Sequence, residues 1–178
     1  MISKYKISGK IFLLHVTPYF STQIDFKGSK YIIDLARMFV GTYIVIVVVG
    51  RNTVKNLPPN IISIGQTNNS DTLSKFYSMA EITILTSKRE TFSMVTAESL
   101  MCGTPVVGFK AGAPEVIAIS EYSAFVDYAD IQNLYKTIQI FLNRDFNHSV
   151  IQKEAKSKYS IGTMRKKYIK EYNNLVLK

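Results

Sequence analysis

Two glutamates, Glu90 and Glu98, stand with seven residues between them in the stretch TSKRETFSMVTAE at 86–98, which also carries cations and hydroxyls. If residues 93–102 form a helix, the positions three and four away from Glu98 are Met94, Val95, Met101 and Cys102, all apolar. A carboxylate on the core-facing stripe of a buried helix costs several kcal/mol unless something donates to it or balances its charge. No Lys, Arg or His lies among residues 91–109, so the partner comes from elsewhere in the fold, a distant lysine being the plain case, or from a ligand. Ionised carboxylates only accept hydrogen bonds, and the vicinal hydroxyls of a ribose donate them. Glu90, beside Lys88 and Arg89, reads as a solvent-accessible loop residue. The amides of Phe92, Ser93 and Met94 open the helix unpaired and favour an anion such as phosphate. Thr91 and Ser93 add hydroxyl donors. The stretch therefore offers places for a phosphate, a ribose and a second hydroxyl-bearing group.

Positioning these groups requires a sheet and its helices. Lys10–Thr17 is an apolar run ending in a turn signal at Pro18, and Thr42–Gly50 is β-branched without period-two alternation. Strands apolar on both faces belong to parallel sheets. Shorter apolar runs at Asn60–Ile64, Glu81–Leu85, Pro105–Phe109 and Tyr122–Val126 bring the strand candidates to six. Helical patterns fall between most of them, at Lys27–Val40, Asp71–Ala80, Ser93–Cys102 and Ile131–Leu142. This alternation predicts an α/β, doubly wound, Rossmann-like sheet of about six parallel strands. Two C-terminal helices, 147–158 and 162–177, complete it, and Arg51–Pro59 reads as loop. Ligands of such sheets bind at the carboxyl ends of the strands, which singles out the loops at 17–28, 50–59, 65–71, 86–93 and 109–115.

The whole chain bounds the answer further. Its 178 residues, 47% hydrophobic and 20% charged, make one domain able to bury its own core. The longest apolar run, Ile44–Gly50, falls far short of a bilayer span, and no signal peptide opens the chain, so a soluble, intracellular protein is expected. Cys102 has no second cysteine for a disulfide or a zinc site and reads as a small buried apolar residue. His15 and His148 read as structural. The net charge of +9 is uneven: residues 151–178 hold eight basic residues against Glu154 and Glu171, or +6. Such a tail attracts anionic lipid headgroups, nucleic acid or a phosphorylated substrate, or is simply a solvated helix face. Aromatic and basic residues do not interleave along a strand as nucleic-acid platforms require, so no nucleic acid is expected.

The spacing of Glu90 and Glu98, followed by Ser99-Leu100-Met101-Cys102-Gly103-Thr104-Pro105-Val106-Val107 and Gly112-Ala113-Pro114-Glu115, resembles the E-x7-E signature of retaining GT-B glycosyltransferases. The match is to the large family, usually numbered four, that builds bacterial capsule, lipopolysaccharide and related glycoconjugates. Lys27-Gly28, Ser78-Met79-Ala80-Glu81, Tyr159-Ser160 and Lys167–Tyr172 extend the resemblance over nearly the whole chain.

The resemblance implies a nucleotide-sugar donor site in the C-terminal half of a two-domain enzyme. Such an enzyme transfers a hexose with retention to a glycan or lipid-linked acceptor, at the cytoplasmic face of the membrane. By the same resemblance Glu98 holds the ribose hydroxyls, Glu90 is the catalytic contact to the donor sugar, and Lys27 neutralises the diphosphate. Thr91, Phe92, Ser93 and Met94 hold phosphate and sugar through their amides. No metal and no cofactor beyond the donor substrate are implied: the chain has no D-x-D pair, and helix dipoles with cationic side chains stand in for the ion.

Three departures follow. The arginine that usually precedes the Lys-Gly pair is absent, since no Arg precedes Arg37, leaving Lys30 or Arg51 as point-charge substitutes. Thr91 and Ser93 stand where glycines commonly flank the aromatic residue. The N-terminal acceptor-binding domain is missing, so residues 1–178 are expected to be a single donor-binding domain, incomplete and inactive alone. The alternatives are a GT-B-type nucleotide-sugar epimerase and a non-catalytic nucleotide-binding or regulatory module.

Overall fold

The computed structural model describes residues 9–23 and 25–176. Six strands form one parallel sheet in the order β3-β2-β1-β4-β5-β6. They are β1 (Ile11–Phe20), β2 (Ile44–Asn52), β3 (Ile61–Gly65), β4 (Ile82–Leu85), β5 (Val106–Phe109) and β6 (Ser123–Val126). The helices are α1 (Ser29–Met38), α2 (Ser70–Met79), α3 (Met94–Met101), α4 (Pro114–Ile117), α5 (Ile131–Leu142), α6 (His148–Tyr159) and α7 (Ile161–Val176). Every predicted strand is present. The strand order turns back at β1, so the chain leaves β1 and β4 toward opposite edges of the sheet, and it is at the carboxyl ends of strands at such a switch point that these sheets bind ligands.

Alternate residues of the strands feed two faces. Leu13, Ile46, Val48, Ile82 and Ile84 pack against Ile32, Leu35 and Ala36 of α1 and Leu134, Ile138 and Phe141 of α5. On the other face Phe12, Leu14, Val45 and Val47 meet Phe76 and Tyr77 of α2, while Leu85 and Val106 meet Leu100 of α3 and Ile151 and Ala155 of α6. Burying each large aliphatic side chain stabilises the fold by about 1.5–3 kcal/mol.

Three local expectations are corrected. Pro18 does not end β1; the strand continues to Phe20, with its register against β2 shifting between Val16 and Tyr19. An edge would tolerate the lost amide, and here the shift serves the same purpose within the sheet. Lys27 does not open α1, which starts at Ser29 after Gly28, whose φ is 72°; the Asp25 carboxylate accepts the amides of Ser29 and Lys30 and caps that end. The four-residue α4 was not foreseen, being shorter than one amphipathic period. α7 buries none of its residues; position 177 of the helix expected there, and Lys178 of the basic tail, lie outside the described residues. Among the described residues no helix is long and apolar enough to cross a membrane.

Candidate functional site

The loops after β1 and β4 are stitched together at the carboxyl edge of the sheet. The Thr86 hydroxyl donates to the Lys27 carbonyl at 2.8 Å, and the Lys88 amide donates to the Phe26 carbonyl at 3.0 Å. Gly28 lies so close to Thr86 that a Cβ would run into its carbonyl, and its left-handed φ already favours glycine. This close approach brings Lys27 Nζ to 2.6 Å from Glu90 Oε1. The pair is sheltered, with side chains 31% and 12% exposed for Lys27 and Glu90. Glu90 is therefore less accessible than a free loop residue. Its own backbone is fixed as well: its amide donates to the Ala111 carbonyl at 2.9 Å, and it forms an isolated parallel bridge with Gly112 in the loop after β5.

Glu98 differs from expectation. α3 buries Thr96, Ala97, Ser99 and Leu100 rather than Met94 and Met101, so Glu98 is half-buried at the helix flank and not on the core stripe. The reason is that small hydroxyl residues pack inward here: Ser99 Oγ lies 2.7 Å from Thr83 Oγ1 and 2.9 Å from the Thr104 carbonyl. The partner of Glu98 is neither lysine nor arginine but the Tyr77 hydroxyl, which donates to Oε2 at 2.9 Å. Burial, reinforced by the Glu98 charge, pushes the Tyr77 phenol far above its ordinary value, so it remains a donor at any working pH. Glu98 lines a cavity of about 230 Å³ with Ser70, Leu73, Tyr77 and Cys102. A neighbouring cavity of about 180 Å³ shares Leu73 and is lined by Thr17, Lys27, Gln66, Thr67 and Val95. Glu98 lines the first of these cavities and Lys27 the second, and Lys27 is paired with Glu90.

The remaining expected residues divide. Met94 is the first residue of α3 and 60% exposed. The Ser93 side chain makes no capping hydrogen bond to α3, which leaves the first amides of the helix without a side-chain acceptor from its N-cap. Ser93 sits before it with φ 68° and ψ 73°, a region glycine prefers, and its hydroxyl is turned inward to Thr96 Oγ1 at 2.8 Å instead of toward a ligand. Thr91 is exposed. Phe92 lines a separate cavity with Val116, Ile117, Tyr159, Met164, Lys158 and Lys167, and lines neither of the two cavities beside Glu98 and Lys27. Lys30 lies over the Tyr31 ring at 4.6 Å and Arg51 is exposed at the end of β2; neither lines these cavities. Cys102 is partly buried beside Glu98, packed against the edge of the Phe12–Val47–Tyr77 cluster rather than inside it, and burial pushes its thiol up.

His15 is buried, with Nδ1 3.1 Å from the Ile84 carbonyl, and burial lowers its pKa to about 4. His148 Nδ1 lies 2.8 Å from the Gly103 carbonyl. Both act within the structure. Sequence reasoning missed Tyr77, hidden in the apolar period of α2, and Gln66 and Thr67, which carry no motif. It also missed a role for Glu115, whose oxygens accept the amides of Ala111 and Gly112 at 3.0 and 2.9 Å. Burial works against ionisation there, but those amides together hold the Glu115 carboxyl below its ordinary range.

A parallel sheet whose strand order turns back at β1, with α3, a sheltered Lys–Glu pair and a carboxylate-lined cavity near its carboxyl edge, defines a Rossmann-like class of domain. The chain belongs to the family described as glycosyl transferases group 1, whose sequence profile matches residues 18–158. It is 24% identical over 110 residues to N-acetyl-alpha-D-glucosaminyl L-malate synthase of Bacillus anthracis, covering 60% of this chain and 28% of that protein. Among solved structures it is similar to Anabaena HepE in complex with UDP and glucose, with a TM-score of 0.78 at 17% identity over 97% of this chain and 51% of HepE. It is also similar to S. aureus TarM in complex with Fondaparinux, alpha-GlcNAc-glycerol and UDP, at a TM-score of 0.74 and 20% identity over 92% of this chain and 36% of TarM. These neighbours share the fold. The chain spans about half the length of HepE and a smaller share of the other two.

Proposed function

We propose that this chain is the donor-binding domain of a retaining, metal-independent GT-B glycosyltransferase of the family-4, E-x7-E type. The observation that carries the reading is the succession of neighbouring groups: the Tyr77-anchored Glu98 cavity, the adjacent cavity that shares Leu73 with it and is lined by Lys27, and the Lys27–Glu90 pair. A nucleoside diphosphate sugar fits that succession in one direction. Its ribose hydroxyls donate to Glu98, whose second oxygen Tyr77 leaves open, and its diphosphate meets the Lys27 ammonium and the first amides of α3. The hexose then reaches Glu90. When the bond from the anomeric carbon to the diphosphate oxygen breaks, the charge that develops on the leaving group is met by Lys27 and the α3 amides. Lys27 is held by Glu90 before the donor arrives, so donor binding exchanges one anionic partner of the lysine for another and releases Glu90 toward the sugar.

Transfer to a glycan or lipid-linked acceptor in capsule or lipopolysaccharide synthesis completes the reading, with the acceptor held by an N-terminal domain or partner chain. HepE, which resembles this chain in fold, was solved with UDP-glucose, which makes a UDP-hexose the first donor to try. The basic, unburied α7 is suited to peripheral contact with anionic lipid at the cytoplasmic face of the membrane.

Calorimetric titration with UDP, GDP and ADP and their hexose conjugates tests the donor site. One nucleotide is expected to bind saturably, with at least a tenfold loss in Glu98→Ala. Binding of none, or binding that ignores the substitution, would overturn the reading.

A further inference from the structure

Beyond Glu90, away from the two cavities of the nucleotide path, lies a larger cavity of about 460 Å³ between the loop after β4 and the loop after β5. Three cations line it, Lys88, Arg89 and Lys110, together with Glu90 and Glu115. Both carboxylates are already engaged. Glu90 is held by Lys27 at 2.6 Å, and Glu115 accepts two backbone amides. Lys110 reaches Asp127 at 2.7 Å, but both ends are exposed and such a pair exchanges readily. Lys88 and Arg89 are exposed and have no carboxylate partner among the described residues. With Lys27 and Asp127 counted as the partners of Glu90 and Lys110, four cations meet three carboxylates, so the cavity carries a net positive charge of one, and the two cations unpaired among the described residues are Lys88 and Arg89.

Loop cations on a convex, mobile surface would be ordinary solvated groups. Here the backbone presenting them is tied on both sides, through the Lys88 amide to the Phe26 carbonyl and the Glu90 amide to the Ala111 carbonyl. The volume is of the size that holds a monosaccharide unit, and the planar fork of Arg89 matches a carboxylate or phosphate in two parallel bonds. Glu90 forms its inner wall, so a sugar placed at Glu90 has this basic volume directly beside it.

We propose that this cavity binds the anionic group of an acidic saccharide, a carboxylate or phosphate on a hexose-sized unit. That unit is either the sugar being transferred or the acceptor next to it. The placement beside the sugar rests on the donor-site reading; the charge of the cavity does not.

The test uses the full chain, isotope-labelled, with glucuronate, glucose 6-phosphate and glucose as probes. The two anions are expected to shift the amide resonances of residues 88–91 and 110–112, glucose is not, and the shifts disappear in the double variant Lys88→Ala/Arg89→Ala. Both substituted residues are exposed, and far-UV circular dichroism checks that the variant remains folded. Calorimetry then separates the sources. UDP-glucuronate binding about tenfold tighter than UDP-glucose, with the gain lost in the double variant, assigns the anion to the donor. Equal affinity for the two donors, with free glucuronate still binding beside bound UDP, assigns it to the acceptor. Anions that behave like glucose, or anion binding that survives the double substitution, overturn the proposal. UDP binding is read independently in the same series, so loss of the donor site and loss of the anion site give different results.

Discussion

At the scale of single residues, the site is built by groups whose alternatives are closed off. Burial pushes the Tyr77 phenol well above its ordinary value, and its hydroxyl holds one carboxylate oxygen of Glu98 while the other is left to accept from a ligand. Ser93 holds a left-handed conformation that costs a non-glycine residue about 1–2 kcal/mol, and its hydrogen bond to Thr96 offsets part of that cost. Two substitutions separate the terms. Ser93→Ala keeps the backbone strain and loses the bond, and is expected to destabilise by about 1 kcal/mol. Ser93→Gly loses the bond but relieves the strain, and is expected to stay within about 1 kcal/mol of the parent. Denaturant unfolding of both variants checks the order; Ala equal to or better than Gly would mean that the left-handed geometry carries no strain.

At the scale of elements, the sheet was legible because buried parallel strands are continuous apolar runs, and Ile44–Gly50 or Ile82–Leu85 can be little else, although β2 runs on through Arg51 and Asn52, which read as the start of a loop. The flank of α3 was not legible. A count of apolar neighbours assumes that large side chains point inward, whereas this helix of eight residues buries Thr96 and Ser99 and satisfies their hydroxyls internally. The conclusion that Glu98 needs a partner survived; the identity of the partner, a tyrosine from another helix, required the packing of α2 on α3. Glu90 and Lys27 were each singled out, but their pairing depends on Gly28 meeting Thr86, a contact between loops 59 residues apart.

β1 also carries a pH dependence. His15 is neutral in the fold, with its pKa lowered to about 4 from an ordinary 6.5. The unfolded chain therefore takes up a proton over that interval that the native chain does not. Stability contributed by the neutral imidazole is complete above pH 6.5 and is lost as the pH falls toward 4, on the order of 3 kcal/mol in all. Unfolding free energies measured at pH 7 and pH 4.5 are expected to differ less in His15→Gln than in the parent; an equal drop in both would remove His15 as the source.

At the scale of the whole molecule, the three hydrophobic clusters close without α7, which contributes no buried residue. Ending the chain after Ser160 is expected to change unfolding free energy by no more than about 1 kcal/mol, since removal exposes little apolar surface. The same truncation is expected to abolish binding to vesicles containing anionic lipid, read by co-sedimentation. A severe loss of stability would show that α7 packs on the core, and retained vesicle binding would move the membrane contact elsewhere.

The central claim is that one nucleotide-sugar runs from Glu98 past Lys27 to Glu90, and a crystal structure of the chain with UDP bound tests it most directly. The account predicts the ribose hydroxyls on Glu98, the diphosphate against the first amides of α3, and Lys27 turned from Glu90 onto a phosphate oxygen. A ribose bound away from Glu98, or Lys27 still paired with Glu90 while the diphosphate sits elsewhere, would contradict it.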